Sequence, residues 1–149
     1  MTRGGLLWVA TTPALEHDLA LVDLDGVAYR GHEPIPHAAS SLVAARAGGM
    51  RLVFVTNNAS REPEEVAQQL TSLDIPTDPH EVLTAAQAAA VLLATRLSPG
   101  DRVLVVGGQG LRTATEQAGF TVVERAADDP VAVVQGFSPD LGWRDLAEA

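Results

Sequence analysis

Apolar positions along this chain fall into short runs separated by stretches of helical spacing. Leu19–Leu24 ("LALVDL") is a run short enough for a buried strand, and "RLVFV" at Arg51–Val55 and "RVLVV" at Arg102–Val106 repeat it. Between the runs the period changes. Within Glu62–Leu73, Val66, Leu70 and Leu73 stand at i, i+4 and i+7, the stripe of an amphipathic helix. His37–Ala47 is alanine-rich and is stopped by Gly48-Gly49, as a helix C-terminus would be. Thr84 and Gln87 form a T-x-x-Q capping box ahead of "AAVLLATRL", which predicts a third helix. Leu111–Ala118, closed by Gly119, predicts a fourth. Phe120–Val123 and Val131–Val134 predict two more short strands, and a last helix starts near Trp143. Strands alternating with helices predict an α/β fold with a mainly parallel sheet. In such sheets ligands collect at the carboxyl ends of the strands. Asp23 stands at one such end and Thr56-Asn57-Asn58 at the next.

Composition narrows the function classes. The 149 residues suffice for one ordinary domain or one and a half small ones, and an apolar fraction of 46% suits a packed core. No run of about eighteen apolar residues exists, so no membrane span is expected. The apolar patch Leu6–Ala10 is too short for a signal sequence, which predicts a cytoplasmic protein. The absence of cysteine excludes disulfides and thiolate metal sites. A net charge of −9 argues against nucleic acid or an anionic membrane as partner. Trp8, Tyr29 and Trp143 form no stacking pattern for bases, which also favours a small molecule. All ten cations are arginines, and lysine is absent. His17, His32, His37 and His80 are scattered without metal spacing and read as surface residues.

The candidate chemistry begins at "LVDLDGVAYRG". Residues i and i+2 of a strand share a face, so Asp23 and Asp25 are expected to converge, out of bulk water. Like charges that close are unfavourable unless one is protonated or a cation sits between them. Oxygen-only donors with no adjacent histidine or cysteine favour Mg²⁺ over Zn²⁺. A calcium loop fits less well, because Ala28 and Pro34 stand where its glycine and glutamate belong. Gly26 permits a sharp exit from the strand and a close backbone approach to a ligand. "VFVTNNASR" ends the next strand in Thr56, Asn57 and Asn58, neutral hydrogen-bond donors that beside a metal-bound carboxylate make a place for phosphate. The blander alternative is a pair of solvated strand-end aspartates and an ordinary turn, with Ser60 capping the following helix. "VLVVGGQGLRTA" resembles the start of a dinucleotide site, but Thr113 occupies the third glycine position, so it reads as a strand-to-helix turn.

Taken together, "LVDLDGVAYRGHEPIP", "LVFVTNNASR", "VLTAAQAAAVLL" and "VLVVGGQGL" resemble the haloacid dehalogenase (HAD) superfamily. More narrowly they resemble its class IIA branch with a large inserted α/β cap, the p-nitrophenyl-phosphatase-like, phosphoglycolate and glycerol-3-phosphate phosphatases. "AVVQGFSPDLGWRDLAEA" is similar to actinobacterial glycerol-3-phosphate phosphatases. The resemblance implies a Rossmann-like core with an incomplete parallel sheet over residues 1–98, followed by the start of a cap over 99–149. It implies Mg²⁺ as cofactor and a small phosphorylated metabolite as partner. Asp23 would be the nucleophile that becomes an aspartyl phosphate. Asp25 would be the acid/base and would ligate Mg²⁺ through its backbone carbonyl. Thr56, with Asn57 and the amides that follow Asp23, Gly26 among them, would bind the phosphoryl group, and Asn58 and Arg61 would face the cap.

Two parts of the family pattern have no counterpart. One is a lysine beyond the cap, and the other an acidic loop after a late apolar strand. "GDR" at Gly100–Arg102 and "ADDP" at Ala127–Pro130 precede apolar strands instead, and both read as turns. The chain is therefore expected to be an N-terminal portion of a longer phosphatase, weak or inactive as this fragment. Its unpaired sheet edges are expected to promote association, a homo-oligomer being one outcome. The rival expectation is a non-catalytic anion- or nucleotide-binding module on the same fold.

Overall fold

In the computed structural model residues 13–149 are described, so the patch Leu6–Ala10 and the reading of location that rests on it lie outside the described residues. Strand β1 (Leu19–Asp23) leads into a small antiparallel hairpin of β2 (Tyr29–Arg30) and β3 (Glu33–Pro34). Helix α1 (Ala38–Ala47), strand β4 (Arg51–Thr56), helix α2 (Pro63–Ser72), strand β5 (Val82–Thr84) and helix α3 (Ala85–Ala94) follow. Then come β6 (Arg102–Val106), α4 (Gln109–Gln117), β7 (Thr121–Val123), β8 (Ala132–Gln135) and α5 (Trp143–Glu148).

Two parallel three-stranded sheets result, ordered β1-β4-β5 and β7-β6-β8. In the first, Asp23 pairs with Val55, and Thr56 with Thr84, so the carboxyl ends of all three strands lie along one edge. Val22, Leu52, Phe54 and Val82 turn to one face, where Val66, Ala67 and Leu70 of α2 cover them. The helical stripe predicted from Val66 and Leu70 is thus the buried face of α2. Its N-cap is Glu62, in a reciprocal capping box with Glu65, and not Ser60. Pro63 at the first helical position, where no intrahelical N–H is needed, helps to set that start.

Two strand expectations change. β1 is buried on one face only: Val22 is 8% exposed but Leu21 is 70% exposed. Its apolar residues occupy both faces of the pleat, and α2 covers only one. β5, by contrast, was hidden in the lead-in to α3. Three residues are too few to show a period, and pairing with β4 makes them a strand. The capping box of Thr84 and Gln87 is present as predicted: the Gln87 N–H donates to Thr84 Oγ1 (3.2 Å) and the Thr84 N–H to Gln87 Oε1 (2.9 Å).

The second sheet has its own core of Val103, Val105, Leu111, Ala114 and Phe120, which Ala86 and Ala90 of α3 join. The strand-to-helix turn between β6 and α4 is Gly107-Gly108, shorter than the sequence suggested, and Gly110 already lies in the first turn of α4. Asp101 accepts from the Ser98 N–H (2.8 Å) and Asp129 pairs with Arg102 (3.1 Å), so both acidic segments set aside in the sequence serve turns and surface. Among the described residues no helix is long and apolar enough to cross a membrane.

Candidate active site

The carboxyl edge of the first sheet opens into a polar cavity of about 510 Å³. Asp23, Asp25, Thr56, Asn57 and Asn58 all line it. Asp23 is the last residue of β1, and its Oδ1 accepts the Leu24 N–H at 2.8 Å. Leu24, fully buried, anchors the chain between the two acids and leaves both carboxylates on the outer side. Contrary to expectation both are exposed, because the carboxyl edge of a sheet is its surface and only Leu24 points inward.

Gly26 does not line the cavity. Its φ of +83° belongs to the left-handed region, and its N–H donates to the Tyr29 carbonyl at 2.7 Å, so it turns the chain back. That turn brings Asp25 into a bridge with Tyr29. Thr56 is almost fully buried, and its Oγ1 accepts the Asn58 N–H at 3.1 Å while its hydroxyl proton is free to donate into the cavity. Asn58 is more occupied. Its Oδ1 accepts from Ser60 N (2.8 Å), Ser60 Oγ (2.9 Å) and Arg61 N (3.2 Å), which builds the turn and leaves only its amide NH₂ for a ligand.

Sequence reasoning missed part of the wall. Tyr29, Gly31, His32 and Gln69 line the same cavity, as does Arg61. His32, read as a surface histidine, is carried there by the hairpin of β2 and β3. The available signal was the pair Gly26 and Gly31, both at positive φ, which bracket a chain reversal. Burial pushes the Tyr29 phenol above its ordinary value; the Arg61 charge opposes that shift, and Asp25 and Asp23 add to it.

For a metal, the donors are the two aspartates. Among the described residues no group of three or more His, Cys, Asp or Glu could hold an ion. A pair of carboxylates beside an open polar cavity fits Mg²⁺, which keeps several waters and binds through one or two carboxylates plus substrate phosphate.

Two carboxylates at the end of one parallel strand and the Thr56–Asn58 segment at the end of the next line one polar cavity at the sheet edge of an α/β protein. The profile of the haloacid dehalogenase-like hydrolases matches residues 20–121, more than half of the chain, and the protein belongs to that family. It is 48% identical over 136 residues to D-glycerol 3-phosphate phosphatase of Mycobacterium tuberculosis, covering 91% of this chain and 38% of that protein. It is 37% identical over 129 residues to acid sugar phosphatase of Staphylococcus haemolyticus, covering 87% of this chain and 48% of the other. The crystal structure of glycerol phosphate phosphatase from M. tuberculosis in complex with magnesium matches with a TM-score of 0.88 at 46% identity, covering 93% of this chain and 41% of that one. The chain thus spans less than half the length of each of these relatives.

Proposed function

We propose that this chain is the N-terminal portion of a Mg²⁺-dependent phosphatase acting on small phosphate monoesters of the glycerol 3-phosphate or 2-phosphoglycolate type. The observation that carries the reading is the convergence of Asp23, Asp25, Thr56, Asn57 and Asn58 on one cavity. The glycerol phosphate phosphatase of M. tuberculosis supports the substrate class and the metal. Asp23, and Asp25 through its backbone carbonyl, would hold Mg²⁺, which when bound neutralises phosphoryl charge.

A carboxylate of Asp23 attacks phosphorus, the ester P–O bond breaks, and Asp25 gives its proton to the leaving alcohol oxygen. Asp25, now a carboxylate, takes a proton from water. The water oxygen then attacks phosphorus, and the acyl-phosphate P–O bond breaks to return free Asp23 and inorganic phosphate. Thr56 and Asn57 donate to the phosphoryl oxygens throughout. Within the chain we assign residues up to Thr84 to the core and those from Ala85 onward to the start of a cap. That moves the changeover forward from residue 98, because Ala86 and Ala90 pack with the second sheet.

A second reading, a non-catalytic anion-binding module, draws on a sequence without lysine and on a cavity that, among the described residues, holds only two acids. The test is hydrolysis of glycerol 3-phosphate, 2-phosphoglycolate and p-nitrophenyl phosphate with Mg²⁺. It is run on the 149-residue chain and on a version extended through any downstream coding sequence, each beside Asp23→Asn. We expect weak turnover from the first, strong turnover from the second, and loss of more than roughly tenfold in Asp23→Asn. Phosphate binding without turnover in both would favour the module.

A further inference from the structure

Among the described residues, the cavity wall holds two carboxylates and one permanently charged cation, the Arg61 guanidinium. Among the described residues the ion pairs are Arg46–Glu81, Arg102–Asp129 and Arg112–Glu124, and Arg61 takes part in none of them. Its partners are neutral: NH1 donates to Gln69 Oε1, and NH2 to the Glu65 carbonyl at 2.9 Å. Gln69 is fixed in turn, its Nε2 donating to the Gly31 carbonyl at 3.2 Å. The charge is therefore held in place without being cancelled.

The backbone of Arg61 is gripped as well. Its N–H donates to Asn58 Oδ1 (3.2 Å), and the preceding Ser60 carbonyl accepts the Gly110 N–H (3.0 Å) from the start of α4. A Cβ on Gly110 would lie 2.6 Å from the Arg61 carbonyl carbon, and one on Gly108 would lie 2.7 Å from Ser60 Cβ. The glycines of "GGQG", which do not make a dinucleotide site, let α4 seat directly on the Ser60–Arg61 backbone. Thr113, where a third glycine was missing, donates to Glu62 Oε1 at 2.6 Å and closes the same seam. A long side chain held at both ends loses little further freedom on binding a ligand, which favours a role in recognition.

Resting on the phosphatase reading of the cavity, we propose that Arg61 is the cation that engages the phosphate group of the ligand, with Gln69 and Gly110 as the residues that position it. The guanidinium has five N–H donors, and those not spent on Gln69 and Glu65 suit phosphate oxygens. The field at Tyr29 agrees with this placement, since Arg61, Asp25 and Asp23 all act on the one phenol.

The test titrates inorganic phosphate by calorimetry into the 149-residue chain in Mg²⁺, beside Arg61→Gln, Arg61→Lys and Gly110→Ala, with Mg²⁺ titrated separately and a thermal melt for each. Arg61→Gln is expected to weaken phosphate binding by roughly tenfold or more, and Arg61→Lys by clearly less, because the charge remains. Gly110→Ala is expected to weaken it by about two- to fivefold with Arg61 itself intact, while Mg²⁺ affinity stays within about twofold throughout. Phosphate binding by Arg61→Gln equal to that of the parent overturns the proposal and leaves the reading of the cavity standing. Equal weakening in Arg61→Gln and Arg61→Lys with a lowered melt makes Arg61 a structural tie and also overturns it. No phosphate binding by the parent chain overturns the proposal, while the reading of the cavity is judged separately by turnover of the extended chain.

Discussion

At the scale of single residues, Thr56 has two duties whose loss two measurements on one variant tell apart. Its hydroxyl oxygen accepts the Asn58 N–H, and its proton is available to a ligand. Thr56→Val keeps the volume and removes both. On the proposed phosphatase reading, turnover of the extended chain should fall by ~2–4 kcal/mol of transition-state stabilisation, the scale of a lost oxyanion donor. Unfolding free energy should fall by only about 1 kcal/mol for the broken turn bond. Parallel kinetics and urea melts check the split, and equal losses would leave Thr56 a turn residue. Tyr29 gives a pH signature. The folded state holds its proton above the ordinary value of 10.0, so the associated stability is complete below that pH and is lost as pH rises through the higher folded value. Denaturation at about pH 8 and about pH 11 should show an alkaline decline that is smaller in Tyr29→Phe. The same decline in both proteins would mean that the phenol is not what titrates.

At the scale of elements, Thr84 is the junction. It ends β5, paired with Thr56 of β4, and its side chain caps α3. Val82, two residues earlier, packs in the first core, while Ala86, two residues later, packs in the second. One buried hydroxyl therefore sets where the chain leaves one sheet for the other. Thr84→Val should cost about 1–2 kcal/mol, the loss of a buried N-cap, and should loosen α3 before the first sheet. Hydrogen exchange resolved along the chain measures this: faster exchange confined to α3 and α4 is expected, and uniform acceleration would refute a junction role.

At the scale of the whole molecule, among the described residues the first sheet has one covered face and one open face. The parallel register puts Leu21 beside Val53 and Val55 beside Leu83. Leu21 is 70% exposed, and Leu19 and Leu83 are each 43% exposed. A contiguous apolar sheet face of this kind, beside the β1 edge, favours association. Light scattering should therefore show concentration-dependent growth that Leu21→Gln reduces. A monodisperse monomer at every concentration would contradict this.

Most of the strands and helices, the placing of Asp23, Asp25 and Thr56-Asn57-Asn58 at strand ends, and the Thr84–Gln87 cap were legible in the sequence. Each is a local pattern, a period of two or of 3.6 or a motif a few residues long, and local backbone sterics suffice to express it. Tertiary structure decided the rest. The apolar residues of β1 could not say which of its faces α2 would cover, because both faces are apolar. Val82–Thr84 became a strand only by pairing with β4. Tyr29 and His32 reached the cavity through a chain reversal, and Arg61 was set there by contacts with Gln69 and with Gly110, 49 positions on in the sequence. Those placements depend on long-range closure and on the space left between packed elements, which no short window of sequence contains.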